Sequence, residues 1–216
     1  VCTAWEGTAG MVAPMEPASP LSLPWQALAA DPLTFRQQLE RLSAFTWLEA
    51  RLFERLGAWA GSVAGLEWRA LFGSQARHHA QHAQWLASLV PDVADFDKDA
   101  AVTSPSPGAS AAVEELGAIE PPEGEGWHAA AAWYRVVLPR LEVSYASHRQ
   151  RLDPLADVAI ARVLSWIERD IADDRRAGEA ALQARVSSPR VASEASAVVA
   201  RIDAKAACFG PLIGWG

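Results

Sequence analysis

The chain has 216 residues, half of them hydrophobic, with nineteen basic against twenty-six acidic side chains and a formal charge of −7. That length can bury the core of one large domain, while the acidic balance argues against nucleic acid or an anionic membrane surface as a partner. No run of roughly eighteen uncharged apolar residues is present to span a bilayer, so the composition reads as a soluble acidic protein.

In chain order, residues 1–30 carry Pro14, Pro17, Pro20 and Pro24, which break any helix and predict an extended arm anchored by Trp5 and Trp25. VCTAWEGTAGMVAP lacks the basic start and apolar core of a signal peptide, so the expected location is the cytoplasm; the chain begins with Val1, which leaves its native start open. Cys2 and Cys208 make no metal-binding spacing and read as reduced thiols. Asp31 and Pro32 form a helix-start pair, and a first helix is expected to about Ala60. GSVAG, residues 61–65, breaks it, and a second helix should run from Leu66 to Val90, where Pro91 ends it, folded back on the first.

From Pro91 to Gly126 the chain shows only one candidate helical turn, at AAVEELG. A connection of roughly thirty-five residues, against the two to eight that join antiparallel neighbours, implies a crossover that sets the third helix parallel to the second. The third helix is expected from Trp127 to Arg151, disturbed at Pro139, and the fourth from Asp153 and Pro154 to about Val186. Pro189 opens a weaker fifth helix, and CFGPLIGWG should dock on the body or on a second copy. The fold class is therefore all-α, with an arm over 1–30, a bundle over 31–186 and a short helix and tail over 187–216. No strand or solenoid repeat is evident.

Two of these helices place polar groups where oil belongs. In FTWLEARLFERL the repeat Leu42, Phe45, Glu49, Leu52 and Leu56 puts Glu49 on the apolar stripe. In SQARHHAQHAQWL the stripe Leu71, Gln75, His78, His82, Trp85, Leu86 and Leu89 carries two imidazoles, with His79 on its shoulder. Glu49 and His78 lie nearly equally far from the hairpin loop, about 21 to 23 Å at ~1.5 Å per residue, so acid and imidazole should meet at one height.

Long helices paired two and two across a long crossover, with inward acids and histidines, resemble the ferritin-like bundle. LEARLFERLGAWAG, RHHAQHAQWL and RDIADDRRAGEAALQ are similar to small bacterial ferritin-like domain proteins of unassigned function. The resemblance implies a dimetal ligand pattern of one Glu from each of two helices and a Glu-x-x-His pair from each of the others. Here Glu49 matches the first Glu, and Glu142 is the candidate on the third helix. The second helix departs from the pattern, with Gln75-x-x-His78 and His79-x-x-His82, and the fourth offers Asp170-x-x-Asp173 with no histidine. The resemblance also implies oxidoreductase chemistry on a small molecule, and a homodimer.

From the residues alone, Glu49, His78 and His82 form a two-histidine, one-carboxylate set suited to divalent iron, manganese or zinc, iron or manganese being the expected metal, with His79 beside it and Glu142 at a matching height along the third helix, while Asp170 is the ligand that the resemblance adds. Asp170, counted from a turn at Asp153, falls level with Tyr134 and Arg135 and has Arg135 as an alternative partner. Tyr134, Tyr145, Gln75 and Trp85 are the expected pocket lining, and His148 is expected to favour the end of the third helix by its charge. The same residues admit other readings: no metal, with the histidines as hydrogen-bonded core groups; a His/Glu pocket for acid–base chemistry; or a non-catalytic scaffold.

Overall fold

The computed structural model describes residues 31–119, 126–186 and 188–208. The arm over 1–30, including Trp5 and Trp25, and the tail from Phe209 lie outside them. The described residues are helical, with one isolated bridge between Val93 and Phe96 and no strand among them. None of their helices is long and apolar enough to cross a membrane.

Helix α1, Phe35–Ser62, starts later than the acid–proline pair suggests. Thr34 and Gln37 make a capping box, in which Thr34 Oγ1 accepts from the Gln37 amide and Gln37 Oε1 accepts from the Thr34 amide at 2.9 Å. Asp31 and Leu33 instead tie the preceding segment to Arg151, through Arg151 Nε to the Asp31 carbonyl and the Leu33 amide to the Arg151 carbonyl. Leu39, Leu42, Phe45, Leu48, Leu52, Leu56 and Trp59 are buried at three- and four-residue steps, so α1 turns one continuous stripe inward.

Helix α2, Leu66–Ser88, runs antiparallel to α1, as the short 63–65 connection requires. Its buried residues are Trp68, Phe72, Gln75, Ala76, His79, His82 and Leu86. This stripe is rotated by about one residue from the expected one, because α2 has two neighbours: α1 takes the face of Phe72, Ala76 and His79, and α7 takes the face of Gln75, His78 and Trp85.

The crossover holds more structure than one turn. Helix α3, Lys98–Ala101, is capped by Asp97, and α4, Pro107–Gly117, by Ser106, with proline in its first turn. Helix α4 buries Ala109, Val113 and Leu116 against α1 and α8.

The third long segment consists of α5, Trp127–Ala132, a π-helical stretch, Trp133–Val137, and α6, Leu138–Arg149. Pro139 explains the middle piece. It has no amide to give the Arg135 carbonyl and its ring crowds that carbonyl, so the backbone widens and the Leu138 amide bonds the Trp133 carbonyl five residues back. All four alanines at 129–132 are fully buried, which lets α8, Pro189–Cys208, approach α5 closely.

Asp153 initiates a turn rather than a helix. Its Oδ1 accepts from the Leu155 and Ala156 amides, and α7, Val158–Arg185, begins beyond it. The inward face of α7 is Val163, Leu164, Ile167, Ile171, Gly178, Ala181 and Leu182, and Leu155 in the turn before it is exposed.

Side-chain pairings fix the directions. Gln38 meets His148 and Trp59 meets Trp133, so α1 and the third segment are antiparallel. Gln75 meets Trp133 while α1 and α2 are antiparallel, so the second and third segments run the same way. Arg149 to Glu168, Glu142 to Arg175 and Arg135 to Glu179 set α7 antiparallel to the third segment.

Candidate metal centre

Glu49 on α1 is completely buried and is reached from two other helices. His79 Nδ1 lies 2.5 Å and His82 Nδ1 3.3 Å from its Oε2, both rings coming from one face of α2 at i and i+3. Tyr145 on α6 donates its hydroxyl to Oε1 at 2.5 Å. Tyr145 stacks on Phe45 with ring centroids 4.3 Å apart, and Trp133 meets His79 edge-on at 5.3 Å, so packed rings hold the acid and the imidazole in place.

His82 faces a second carboxylate. Its Nε2 lies 3.1 Å from Asp170 Oδ2 on α7, and the Asp170 side chain is 32 % exposed. A hydrogen-bonded series therefore runs from Tyr145 through Glu49 and His82 to Asp170, from the interior to the surface. With both carboxylates ionised, each ring nitrogen of His82 must carry a proton to donate.

The electrostatics agree with that assignment. Burial alone would raise the Glu49 carboxyl, but the charge and hydrogen bond of His79, then those of His82, hold it well below the usual carboxylate range. Burial alone would lower His82, yet its bonds to Glu49 and Asp170 raise it. The Tyr145 hydroxyl is pushed well above its ordinary value by burial and by the Glu49 charge, so it remains a donor.

One ring nitrogen each of His79 and His82 and a Glu49 oxygen lie within 4.8 Å of one another, and this buried group could hold a metal ion. Two imidazoles and a carboxylate suit divalent iron, manganese or zinc.

The remaining expected residues fall elsewhere. His78, placed in the centre by the stripe on α2, is the outward neighbour of His79: 25 % exposed, it bonds Asp174 Oδ2 at 2.9 Å. Glu142 does not reach the centre. It pairs with Arg175 at 2.9 Å, because Leu141 and Tyr145 hold the inner face of α6, and Tyr145 occupies the position it was expected to take. Asp170 stands level with His82 rather than Tyr134, since the turn at 153–157 delays α7; it touches the far side of the His82 ring, while Arg135 pairs with Glu179. Asp173 is exposed and pairs with Arg176.

The expected pocket residues divide into separate groups. Gln75 Oε1 accepts from Trp133 Nε1 at 2.9 Å and Tyr134 Oη at 3.2 Å, closing a buried polar knot beside the centre. Tyr134 lies on Gly178, where a Cβ would stand 1.9 Å from its Cζ. Trp85 packs between His82 and Trp166, with centroids at 5.8 and 5.5 Å. His148 does not charge the helix end. It is buried, gives its Nε2 proton to Gln38 Oε1 at 2.7 Å, and is held neutral down to about 3 by burial and by the charges of Arg41 and Arg151. Its isolation on the apolar stripe of the third helix was the available signal.

Comparison with family models, with curated proteins and with solved structures finds no match.

Proposed function

We propose that the chain is a ferritin-like bundle that binds one divalent transition-metal ion, iron or manganese, through Glu49, His79 and His82, and that it is an oxidoreductase acting on a small molecule. The observation that carries this reading is the convergence of three buried donor atoms within 4.8 Å on one side of Glu49. The surroundings suit a cation. Tyr145 engages Oε1, so that Oε2, the oxygen both imidazoles face, is the one that would ligate the ion, which favours monodentate ligation, and Asp170 accepts the Nε2 proton of His82, which fixes the tautomer with Nδ1 as the donor. Two carboxylates and two neutral imidazoles balance a charge of plus two. A bound iron or manganese ion would supply redox and Lewis-acid chemistry, and this chain's residues would orient it, exclude bulk water and pass a proton along His82 and Asp170.

The up–down–down–up order of the four long segments and the crossover between the second and third support the ferritin-like assignment. Each of those segments supplies one part of the centre: Glu49, the two imidazoles, Tyr145 and Asp170. Tyr145 stands in place of an acid on the third, so a mononuclear centre fits better than a dimetal one.

The continuous hydrogen-bonded series from Tyr145 to Asp170 favours a second reading, in which the metal-free site performs acid–base chemistry with His82 as the proton carrier. Metal analysis of freshly purified protein, followed by Co(II) substitution, separates the two. The metal reading predicts about one ion per chain and visible Co(II) bands that His82→Ala removes; stoichiometry near zero with no bands in the wild type contradicts it.

A further inference from the structure

One opening among the described residues, lined mainly by arginines, lies away from the centre. A cleft of about 700 Å³ separates the π-helical stretch and α6 from α7, lined by Tyr134, Arg135, Pro139, Arg175, Arg176 and Glu179, with Ala172, Ala180 and Gln183 completing its walls. Its volume is that of a small-molecule site. Three arginines against one glutamate line it, in a chain whose formal charge is −7.

Local structure accounts for the cleft. The π-helical stretch forced by Pro139 turns Tyr134 and Arg135 toward α7, Gly178 admits the Tyr134 ring, and the small residues Ala172 and Ala180 leave depth on the α7 side. The floor is firm, because Tyr134 is bonded to Gln75 behind it and seated on Gly178. Pro139 and the alanines provide an apolar wall beside the guanidinium groups, over the buried Tyr134 ring.

The arginines differ in how firmly they are held. Arg135 makes a two-pronged pair with Glu179, at 2.8 and 3.2 Å, and is only one-third exposed, so it is a fixed part of the wall. Arg175 pairs through Nε with Glu142 at 2.9 Å and Arg176 through Nη1 with Asp173 at 2.7 Å; their side chains are 46 % and 75 % exposed. Solvent-exposed pairs of this kind are worth little, so an incoming anion can replace the carboxylate partner or share the guanidinium with it.

We infer that this cleft is a binding site for a small organic anion with an apolar body, whose carboxylate or phosphate is taken by the Arg175 and Arg176 forks and whose body lies against Pro139, Ala172 and Ala180. Both parts have a place there, since a guanidinium fork matches a planar or tetrahedral oxyanion and the one charge on the wall opposite, Arg135, is already taken by Glu179. Tyr134 and Gln75 stand between the cleft and the Glu49 centre, so the site is separate from the metal centre and its occupancy does not depend on a metal.

The test is calorimetric titration of the full chain, with chelator present, using benzoate, phenyl phosphate and inorganic phosphate as probes at low ionic strength. Saturable binding of benzoate or phenyl phosphate, at least about tenfold tighter than inorganic phosphate, is expected. The double substitution Arg175→Ala/Arg176→Ala should weaken it about tenfold or more, Arg175→Lys/Arg176→Lys should recover part of the loss, and Arg190→Ala on α8 should leave it unchanged. Circular dichroism checks that the variants are folded. No saturable binding to the wild type, equal affinity in the alanine variant, or equal loss on Arg190→Ala overturns the inference. Metal binding measured on the same alanine variant should be unaltered, which keeps this result distinct from the fate of the metal reading.

Discussion

Replacing Glu49 by glutamine removes one charge and almost no volume, and the structure sets the cost. The carboxylate accepts from Tyr145, His79 and His82, all buried with it. A glutamine offers a single acceptor oxygen, and its amide group must face a donor that it cannot satisfy. Charge-assisted hydrogen bonds contribute about 1.5 to 3 kcal/mol each, and breaking a buried ion pair from one side costs about 3 to 5 kcal/mol. His82 can relieve part of this by releasing its proton, since Glu49 is what raises it. A loss of about 3 kcal/mol at pH 7 is therefore expected for the metal-free protein. At roughly 2 to 4 °C per kcal/mol for a chain of this size, the melting temperature should fall by about 6 to 12 °C. Removing the whole cluster should behave differently. Glu49→Leu, His79→Phe, His82→Leu and Tyr145→Phe together leave no unpaired buried charge, and such replacements of buried ion pairs are often neutral or stabilising. Urea unfolding in the presence of chelator measures both. A change below about 0.5 kcal/mol for Glu49→Gln, the ordinary size for a surface substitution, would refute the reasoning.

Other consequences can be measured separately. His148 is neutral in the folded chain down to about 3 but titrates near 6.5 when unfolded, so it favours the unfolded state increasingly as pH falls through that window. Stability should drop by up to about 1.4 kcal/mol per pH unit from this group, and His148→Phe should flatten the acid limb by close to one proton; an unchanged slope counts against the assignment. Gly178→Ala puts a methyl into the Tyr134 ring, and calorimetric melting should show a loss of at least about 1 to 3 kcal/mol, partly recovered by adding Tyr134→Leu. A melt indistinguishable from wild type would mean that the ring does not sit there. Ion binding must displace the raised proton on His82, so divalent-metal affinity should fall about tenfold per pH unit below that group's pKa, with about one proton released per ion. Affinity independent of pH between 5.5 and 8 would contradict the ligand role of His82.

Glu49 was legible because α1 has a dense stripe: with leucine, phenylalanine or tryptophan at nearly every inward step, one acid among them stands out. The crossover was legible from length alone, since no short loop can span it. The choice between His78 and His79 was not legible. Helix α2 is filled with alanines at 70, 76, 80, 83 and 87, which suit either face, and its few large residues divide between a side toward α1 and a side toward α7. Periodicity identifies a buried face but not which of two buried flanks meets the acid. Glu142 shows the complementary failure: its height along the helix was suitable, but Leu141 and Tyr145 turn it about a hundred degrees away, toward Arg175. Asp170 was misplaced in register because Asp153 and Pro154 carry the marks of a helix start while forming a separate turn. The His148–Gln38 bond joins residues 110 positions apart and had no local signature beyond an imidazole on an apolar stripe.

Anaerobic Fe(II) titration of the wild type alongside His78→Ala and His79→Ala tests the central claim most directly. Adjacent histidines differ only in which side of α2 they occupy, and only His79 faces Glu49. Saturation near one ion per chain is expected for the wild type and for His78→Ala, with binding weakened at least about tenfold in His79→Ala. Equal binding in both variants, or loss in His78→Ala alone, would contradict the Glu49, His79 and His82 centre.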